Sequence, residues 1–251
     1  MRCYWLFSMM LLAACHGARV PPPSVAPDSD AKQVLADAQA TFRDGHFARA
    51  LVAFRRLQFE LGPGDPLTAE ARYYAAECSF QMGDLATAAL AFQKVAEEFP
   101  TSEYAALALL RDGDANRRLW RRPDVDPTAG QTALATYQAL IGRYPGTDAA
   151  ARAQLHIRQL NEWFAEKEYK TGMFYARRKA YDSAIIYFKD IVASYPDTRL
   201  VPDALLRLVD TYHAIGYVEE RKETCANLRR YYPQTVGIDS RCPAETSAGA
   251  P

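Results

Sequence analysis

The chain has 251 residues, of which 30 are Lys or Arg and 30 are Asp or Glu, so its formal net charge is zero. A balanced chain has no overall positive field that would attract nucleic acid, and it lacks the charge excess typical of disordered chains, so we expect no nucleic-acid partner. Hydrophobic residues make up 49% of the sequence, which is enough for a folded core.

The first residues have the pattern of an export signal. Met1 and Arg2 are followed by an apolar stretch, residues 3–14, that is too short to span a membrane. The stretch ends in "LAAC", which closes on Cys15 and resembles the bacterial lipobox, where the cysteine thiol receives a diacylglycerol before cleavage. We therefore expect residues 1–14 to be a signal peptide and Cys15 to be the lipidated first residue of the mature protein. A plain signal peptide with an incidental cysteine is the alternative.

Residues 15–30 predict a lipidated N-terminus and a proline-rich tether. The stretch from Gly17 to Asp30 has no helical periodicity, and proline-rich segments are semi-extended, at about 3.1 Å per residue. His16 stands where an aspartate would favour retention in the inner membrane. The expected location is therefore the outer membrane, with a lipid anchor and a folded part that faces the periplasm.

Three cysteines remain after the signal peptide and Cys15. Cys78 lies on an apolar helical pattern, which predicts a buried free thiol. Cys225 and Cys242 are close in sequence, and an oxidising periplasm would allow them to form a disulfide. The sequence leaves that pairing open.

Internal repeats dominate the rest of the chain. Residues 45–61 and 83–100 share a glycine, an apolar residue two positions later, an alanine three after that and an aromatic residue four further on. Intervals of three and four place these side chains on one stripe of a helix. The stripe occurs five times in all, with Arg221 in place of the small residue in the last copy. The marked residues are Phe47, Ala50, Phe54 and Leu57; Leu85, Ala88, Phe92 and Val95; Ala133, Tyr137, Leu140 and Tyr144; Tyr181, Ala184, Phe188 and Ile191; and Val218, Cys225, Leu228 and Tyr232.

A stripe of this kind needs a partner helix, and a segment that predicts one precedes each copy. Thr101 or Ser102, Thr147, and Asp197 or Thr198 follow a proline and stand where a helix N-cap is expected. The predicted partner helices cover residues 30–44, 66–82, 101–120, 147–178 and 200–216.

The pattern resembles the tetratricopeptide repeat, a helical hairpin of about 34 residues. This resemblance implies an all-α fold, a right-handed solenoid of about five tetratricopeptide-like hairpins with a concave binding face, over residues 31–236. Two repeats are longer than the ideal length. We attribute the first excess to an inserted loop at residues 121–130 and the second to one long or broken helix before the fourth hairpin. Residues 237–251 are expected to form a flexible C-terminal tail.

Sequence motifs of catalytic or metal-binding sites are weak throughout the chain. The four histidines are scattered, and no C-x-x-C or G-x-S-x-G motif occurs, so we expect no catalytic residues, no metal site and no cofactor. The stretch "DGDANR", residues 112–117, begins like a calcium loop, but Arg117 replaces the required glycine and Pro123 stands at the position of the bidentate glutamate. We interpret it as the polar end of a helix.

A more specific resemblance lies between Val125 and Thr198. The matching features are an Asp-Pro loop, "RYPGT" at residues 143–147, "YPDT" at residues 195–198, and a helix that carries Ala165, Glu168, Tyr169, Phe174 and Tyr175. With the lipobox, the tether and the repeats, the chain resembles the BamD family of outer-membrane assembly lipoproteins, which act with the β-barrel protein BamA.

The resemblance implies a non-enzymatic adaptor that binds unfolded outer-membrane proteins and the periplasmic domains of BamA. It associates the first repeats with substrate and the last repeats with BamA. The implied contacts are Arg72, Tyr73, Phe80 and Gln81 for substrate, and Arg177, Arg178, Tyr187 and Arg199 for BamA. Two other classes stay open at this point, a periplasmic scaffold lipoprotein for pilus or secretin assembly and an envelope enzyme with an unrecognised site.

Overall fold

The structure, a computed structural model, describes residues 29–62 and 64–242, and this part of the chain is helical without β-strands. The predicted signal peptide and Cys15 lie outside the described residues. The helices are α1 (Ser29–Arg43), α2 (Phe47–Glu60), α3 (Pro66–Gln81), α4 (Leu85–Glu98), α5 (Glu103–Leu119), α6 (Thr128–Arg143), α7 (Asp148–Arg177), α8 (Tyr181–Ser194), α9 (Val201–Ile215), α10 (Val218–Tyr231) and α11 (Ile238–Arg241).

The first ten helices form five consecutive hairpins, which confirms the predicted all-α solenoid of tetratricopeptide hairpins. Each hairpin packs its second helix against the first helix of the next one. The long segment before the fourth hairpin is one continuous helix of 30 residues, α7. The inserted loop is shorter than predicted, because α6 begins at Thr128 and takes in the last three residues of the range 121–130.

The predicted stripe is the core of the first four hairpins. Its small residue and its aromatic ring are both fully buried, at 0% exposure, because the first helix of the same hairpin packs directly over them. In the third hairpin this approach is so close that a Cβ on Gly113 of α5 would lie 2.3 Å from the Tyr137 ring. The buried pairs are Ala50 with Phe54, Ala88 with Phe92, Ala133 with Tyr137, and Ala184 with Phe188.

The helix starts match two of the three cap predictions. The Ser102 hydroxyl accepts a hydrogen bond from the Tyr104 N–H, and the Thr147 hydroxyl accepts one from the Ala150 N–H. The third prediction is wrong, because α9 begins only at Val201, without a side-chain cap. Thr198 instead donates its hydroxyl to the Tyr195 carbonyl, which closes the turn after α8.

The C-terminal end of the described chain is folded where a flexible tail was predicted. Residues 237–242 form α11 and its flanks, and Ile238 is buried against the last hairpin. Cys242 is bonded to Cys225 of α10, so the disulfide that the sequence left open is present. The predicted tail therefore starts no earlier than residue 243, and residues 243–251 lie outside the described part. Cys78 is a buried free thiol, as predicted.

The first helices of the first four hairpins form one continuous face, and a side-chain contact between Arg207 and Tyr169 joins α9 to it. Contacts run from α1 to α3, from α3 to α5 and from α5 to α7, whereas no comparable contacts join consecutive second helices in the described chain. We call this the inner face, because the helices that touch in series lie on the inside of the curve. Polar side-chain contacts bridge each neighbouring pair of helices on it, among them Gln39–Glu70 at 2.6 Å, Arg111–Glu77 at 2.8 Å, His156–Asp114 at 2.8 Å and Arg207–Tyr169 at 3.2 Å.

Candidate functional site

The centre of the inner face is an ion-pair network built on Arg111 of α5. Its Nε donates to Oε2 of Glu77 on α3 at 2.8 Å, a second N–H donates to the other oxygen of that carboxylate, and Nη1 donates to Oδ2 of Asp114 at 3.2 Å. Arginine and carboxylate in this paired geometry form strong, directional hydrogen bonds. The network therefore fixes α3 against α5.

Asp114 extends the network to α6 and α7. Tyr137 donates its hydroxyl to Oδ1 of Asp114 at 2.8 Å, and Nδ1 of His156 lies 2.8 Å from the same oxygen. Burial lowers the pKa of His156, and Arg117 and Arg152 lower it further against the opposing effect of Asp114. The lowered pKa favours the neutral imidazole, whose Nδ1–H can donate to the carboxylate.

Four arginines surround this network, and we call them the central arginine cluster: Arg111, Arg117 and Arg118 of α5 and Arg152 of α7. Arg111 and Arg118 lie over the ring of Phe80, 3.9 Å and 4.7 Å from its centroid. The Nε of Arg117 is buried and has no hydrogen-bond partner among the described residues. Arg118 and Arg152 are exposed.

The cluster leaves an excess of positive charge on the inner face. Its four arginines face only two carboxylates, those of Glu77 and Asp114, within the network. An arginine-rich surface with a free guanidinium fork can bind a carboxylate or an extended acidic peptide.

Three of the four predicted substrate residues lie beside this cluster. Gln81 donates to Glu77 Oε1 at 2.8 Å, and Tyr73 is near enough to Arg111 and Arg152 for both to act on its pKa. Phe80 is 5% exposed, so it supports the arginines from below. Arg72 is separate, because it pairs with Glu98 and lies over Phe99 on the other side of α3.

The predicted BamA residues are spread along α8. Arg177 is the last residue of α7 and Arg178 follows it in the turn before α8, where its guanidinium is stacked over Phe174 at 3.9 Å. Tyr187 in the middle of α8 stacks on Tyr175 of α7, with ring centroids 5.4 Å apart.

Arg199 lies beyond the other end of α8. Its side chain is 79% exposed and its Nε is 3.3 Å from Glu162. A helix of 14 residues is about 21 Å long, so Arg178 and Arg199 can contact only an extended partner surface together.

Two grooves lie between consecutive second helices, on the side of the solenoid opposite the inner face. The α2–α4 groove has a volume of about 280 Å³ and a floor on α3, and its charged side chains are Arg55, Arg72, Lys94 and Glu98. The α4–α6 groove has a volume of about 500 Å³ and a floor on α5, and its charged side chains are Glu97, Asp112 and Arg143.

Asp112 on the floor of the α4–α6 groove has no cationic partner among the described residues. It is 7% exposed, and its carboxylate accepts hydrogen bonds from the Asn116 amide at 2.7 Å and, more weakly, from the Thr136 hydroxyl at 3.5 Å. Burial, helped by the nearby charge of Glu97, raises the pKa of Asp112 to about 6 against the opposing effect of the two hydrogen bonds. The calcium-loop stretch is thus part of α5, and both of its aspartates are buried.

The sequence reasoning missed the network and Asp112. Glu77 and Arg111 are 34 residues apart, which is the length of one repeat. Opposite charges one repeat apart on two first helices were the signal that could have found the network.

The described residues contain no group of three or more His, Cys, Asp or Glu arranged to hold a metal ion. No helix within residues 29–62 and 64–242 is long and apolar enough to cross a membrane.

The structure is similar to solved tetratricopeptide proteins. The TPR2AB domain of yeast Sti1, in a complex with pHSP90, aligns over 85% of this chain and 81% of its own with a TM-score of 0.46 and 14% identity.

Relatives of this chain and a family model identify its family. A BamD protein of Caulobacter vibrioides, named outer membrane protein assembly factor BamD, is 36% identical over 108 residues, which are 43% of this chain and 35% of that protein. A protein of the same name from Vibrio cholerae is 24% identical over 87% of this chain and 93% of its own length. The model of the YfiO family, described as outer membrane lipoprotein, matches residues 27–228. The chain therefore belongs to the YfiO/BamD family of outer membrane lipoproteins.

Proposed function

We propose that this protein is an outer-membrane assembly factor that binds unfolded outer-membrane proteins and the periplasmic domains of BamA, without catalysis. The family and the assembly-factor names of its relatives support the assembly role. The observation that carries the substrate-binding part is the central arginine cluster, where four arginines face two carboxylates on the inner face.

The chemistry of the cluster fits the end of a barrel precursor. An extended strand that ends in an aromatic residue offers a terminal carboxylate and a ring. The carboxylate can pair with the free guanidinium of Arg118 or Arg152, and the ring can stack on an arginine plane or on Tyr73. Gln81 is exposed beside them and can donate to the strand backbone.

A binding measurement tests this assignment. A fluorescent peptide from the C-terminal strand of an outer-membrane barrel is titrated with the mature protein, once with a free carboxylate and once amidated. We expect Arg118→Gln to weaken binding of the carboxylate peptide roughly three- to tenfold, equivalent to about 1 kcal/mol, and to leave the amidated peptide unchanged. Arg122→Gln is the matched control, because Arg122 is 68% exposed on a loop. Equal effects of the two variants would contradict the assignment.

The surface around α8 in the second half of the chain is proposed to bind BamA. Arg178 and Arg199 carry exposed charges at the two ends of α8, and neither supports the core. We expect Arg178→Glu combined with Arg199→Glu to reduce co-purification with BamA while far-UV circular dichroism and the melting temperature stay unchanged. Unchanged co-purification, or recovery of a secretin or a pilus subunit in place of BamA, would contradict this part.

The outer-membrane location is proposed to depend on Cys15. We expect Cys15→Ser to release the protein from the membrane fraction, because two or more acyl chains are needed for stable anchoring. A variant that still sediments with membranes in high salt would contradict lipid anchoring.

A further inference from the structure

The α4–α6 groove is open and apolar along its walls. Small residues, Ala86 and Ala89 on α4 and Ala135 and Ala139 on α6, keep the two helices from filling the space between them. Leu90 is 63% exposed and Leu119 is 38% exposed. A partner segment with apolar side chains would therefore bury these two leucines.

The charge at the floor of the groove is not neutralised. Asp112 receives hydrogen bonds from two neutral groups, Asn116 and Thr136, and forms no ion pair within the described chain. Glu97 on α4 adds a second carboxylate at the wall and likewise forms no ion pair there. Arg143 is exposed at the rim and lies over the Tyr144 ring.

A buried carboxylate without a cation is unfavourable, and a chain can retain such a group where a ligand supplies the missing charge. Asn116 and Thr136 hold the Asp112 carboxylate in place but leave capacity for further donors, since a carboxylate has about four acceptor sites. The groove thus combines an anchored anionic group with exposed apolar walls.

We propose that the α4–α6 groove binds a segment of a partner protein that carries a lysine or arginine next to apolar side chains. The cation enters the groove and pairs with Asp112, while the apolar side chains of the segment cover Leu90 and Leu119. Nucleic acid and anionic lipid do not fit, because the groove is acidic. This site lies on the opposite side of α5 from the central arginine cluster, so it is independent of the proposed substrate site.

The α2–α4 groove gives an internal comparison. It is built in the same way one hairpin earlier, but its charged side chains are three cations and one carboxylate, and Arg72 is paired with that carboxylate, Glu98. A cationic segment would be repelled there. Selectivity between the two grooves therefore follows from charge.

The test uses photo-crosslinking in living cells with the full chain. A photoreactive amino acid replaces Leu90, and the captured segment is mapped by mass spectrometry. We expect a partner segment with a lysine or arginine within about four residues of the crosslink, the distance of one helical turn. The same photoreactive group at Val52, which is 68% exposed on α2 and lies outside both proposed binding surfaces, controls for capture by any exposed apolar position.

Two variants of Thr136 make the test specific for charge. Thr136→Lys places a cation beside Asp112 within the chain itself, so it should compete with the partner and reduce the crosslink about tenfold or more. Thr136→Gln has a similar length without the charge and should retain the crosslink. Both variants should bind the C-terminal peptide of an outer-membrane barrel at the inner face as the wild type does. A failure of the groove proposal can therefore be told apart from a failure of the proposed substrate site.

Several results would overturn the proposal. They are the absence of a crosslink at Leu90, a captured segment without a cation, equal crosslinking of Thr136→Lys and Thr136→Gln, and capture of either a second copy or the chain's own residues 15–28.

Discussion

Helix α5 has a buried aspartate on each of two sides, and the two carboxylates differ in the groups that surround them. Asp114 faces the inner face, where Arg111, Tyr137 and His156 all contact its carboxylate. Asp112 is two residues away, about 200° around the helix, and its carboxylate meets only neutral donors. Both are buried, at 4% and 7% exposure.

This difference separates a structural carboxylate from one that is available to a ligand. Removing a charge from a satisfied ion-pair network leaves its partners buried and unpaired, which is costly. Removing a charge that has no counter-ion relieves a desolvation penalty. Burial alone therefore does not show what an acidic residue does, whereas the set of groups around it does.

The largest expected effect is at Asp114. Asp114→Ala removes the acceptor for the Tyr137 hydroxyl and for His156 and weakens the hold on Arg111. We expect the free energy of unfolding to fall by about 3–5 kcal/mol in urea titrations followed by circular dichroism. Asp124→Ala is the control, because Asp124 forms only an exposed ion pair with Arg122, worth less than about 1 kcal/mol. A similar loss of unfolding free energy in both variants would show that Asp114 is not the structural carboxylate described above.

Asp112→Asn is expected to act in the opposite direction. The pKa of Asp112 is raised from 3.8 to about 6 in the fold, so protonation stabilises the folded state. That contribution is complete below about pH 4 and is lost as the pH rises through about 6. The variant should therefore be more stable than the wild type near pH 7.5, by at most about 3 kcal/mol, and the difference should vanish near pH 4. A variant that is less stable than the wild type near pH 7.5 would show that the groups around Asp112 already compensate for the burial of its charge.

Gly113 lies between the two aspartates and gives a smaller, steric test. A Cβ at Gly113 would lie 2.3 Å from the Tyr137 ring, whereas a Cβ at Gly142 of α6 meets no atom within 4 Å. We expect Gly113→Ala to lower the free energy of unfolding by about 1–3 kcal/mol and Gly142→Ala to raise it by about 0.5–1 kcal/mol. Thermal unfolding of the two variants measures both. A Gly113→Ala variant as stable as the wild type would mean that the Tyr137 ring of α6 does not pack as closely on Gly113 of α5 as the structure shows.

Much of the fold could be predicted because each hairpin buries the same positions of the sequence repeat. The alanine and aromatic positions, such as Ala88 and Phe92, are fully buried where the periodicity placed them. The start of α9 was missed because Thr198 closes the preceding turn and does not cap the helix. The helix α11 was missed because its four residues depend on the disulfide and on contacts with α9 and α10, which no local pattern reveals.

The candidate sites were harder to predict. Aromatic and basic pairs mark surfaces, but whether Phe80 faces solvent or supports Arg111 depends on how α3 and α5 are placed side by side. Arg72 and Tyr73 are neighbours in sequence and lie on different sides of α3. The difference between Asp112 and Asp114 depends entirely on side chains from other helices, so the sequence around them could not reveal it.

The separation of the two binding surfaces of α5 is tested most directly by photo-crosslinking in cells, with the photoreactive group at Gln81 on the inner face or at Leu90 in the α4–α6 groove. We expect Gln81 to capture unfolded outer-membrane proteins and Leu90 to capture a different protein through a segment with a lysine or arginine. Capture of the same unfolded outer-membrane proteins from both positions, or none from Gln81, would contradict the separation of the two sides of α5.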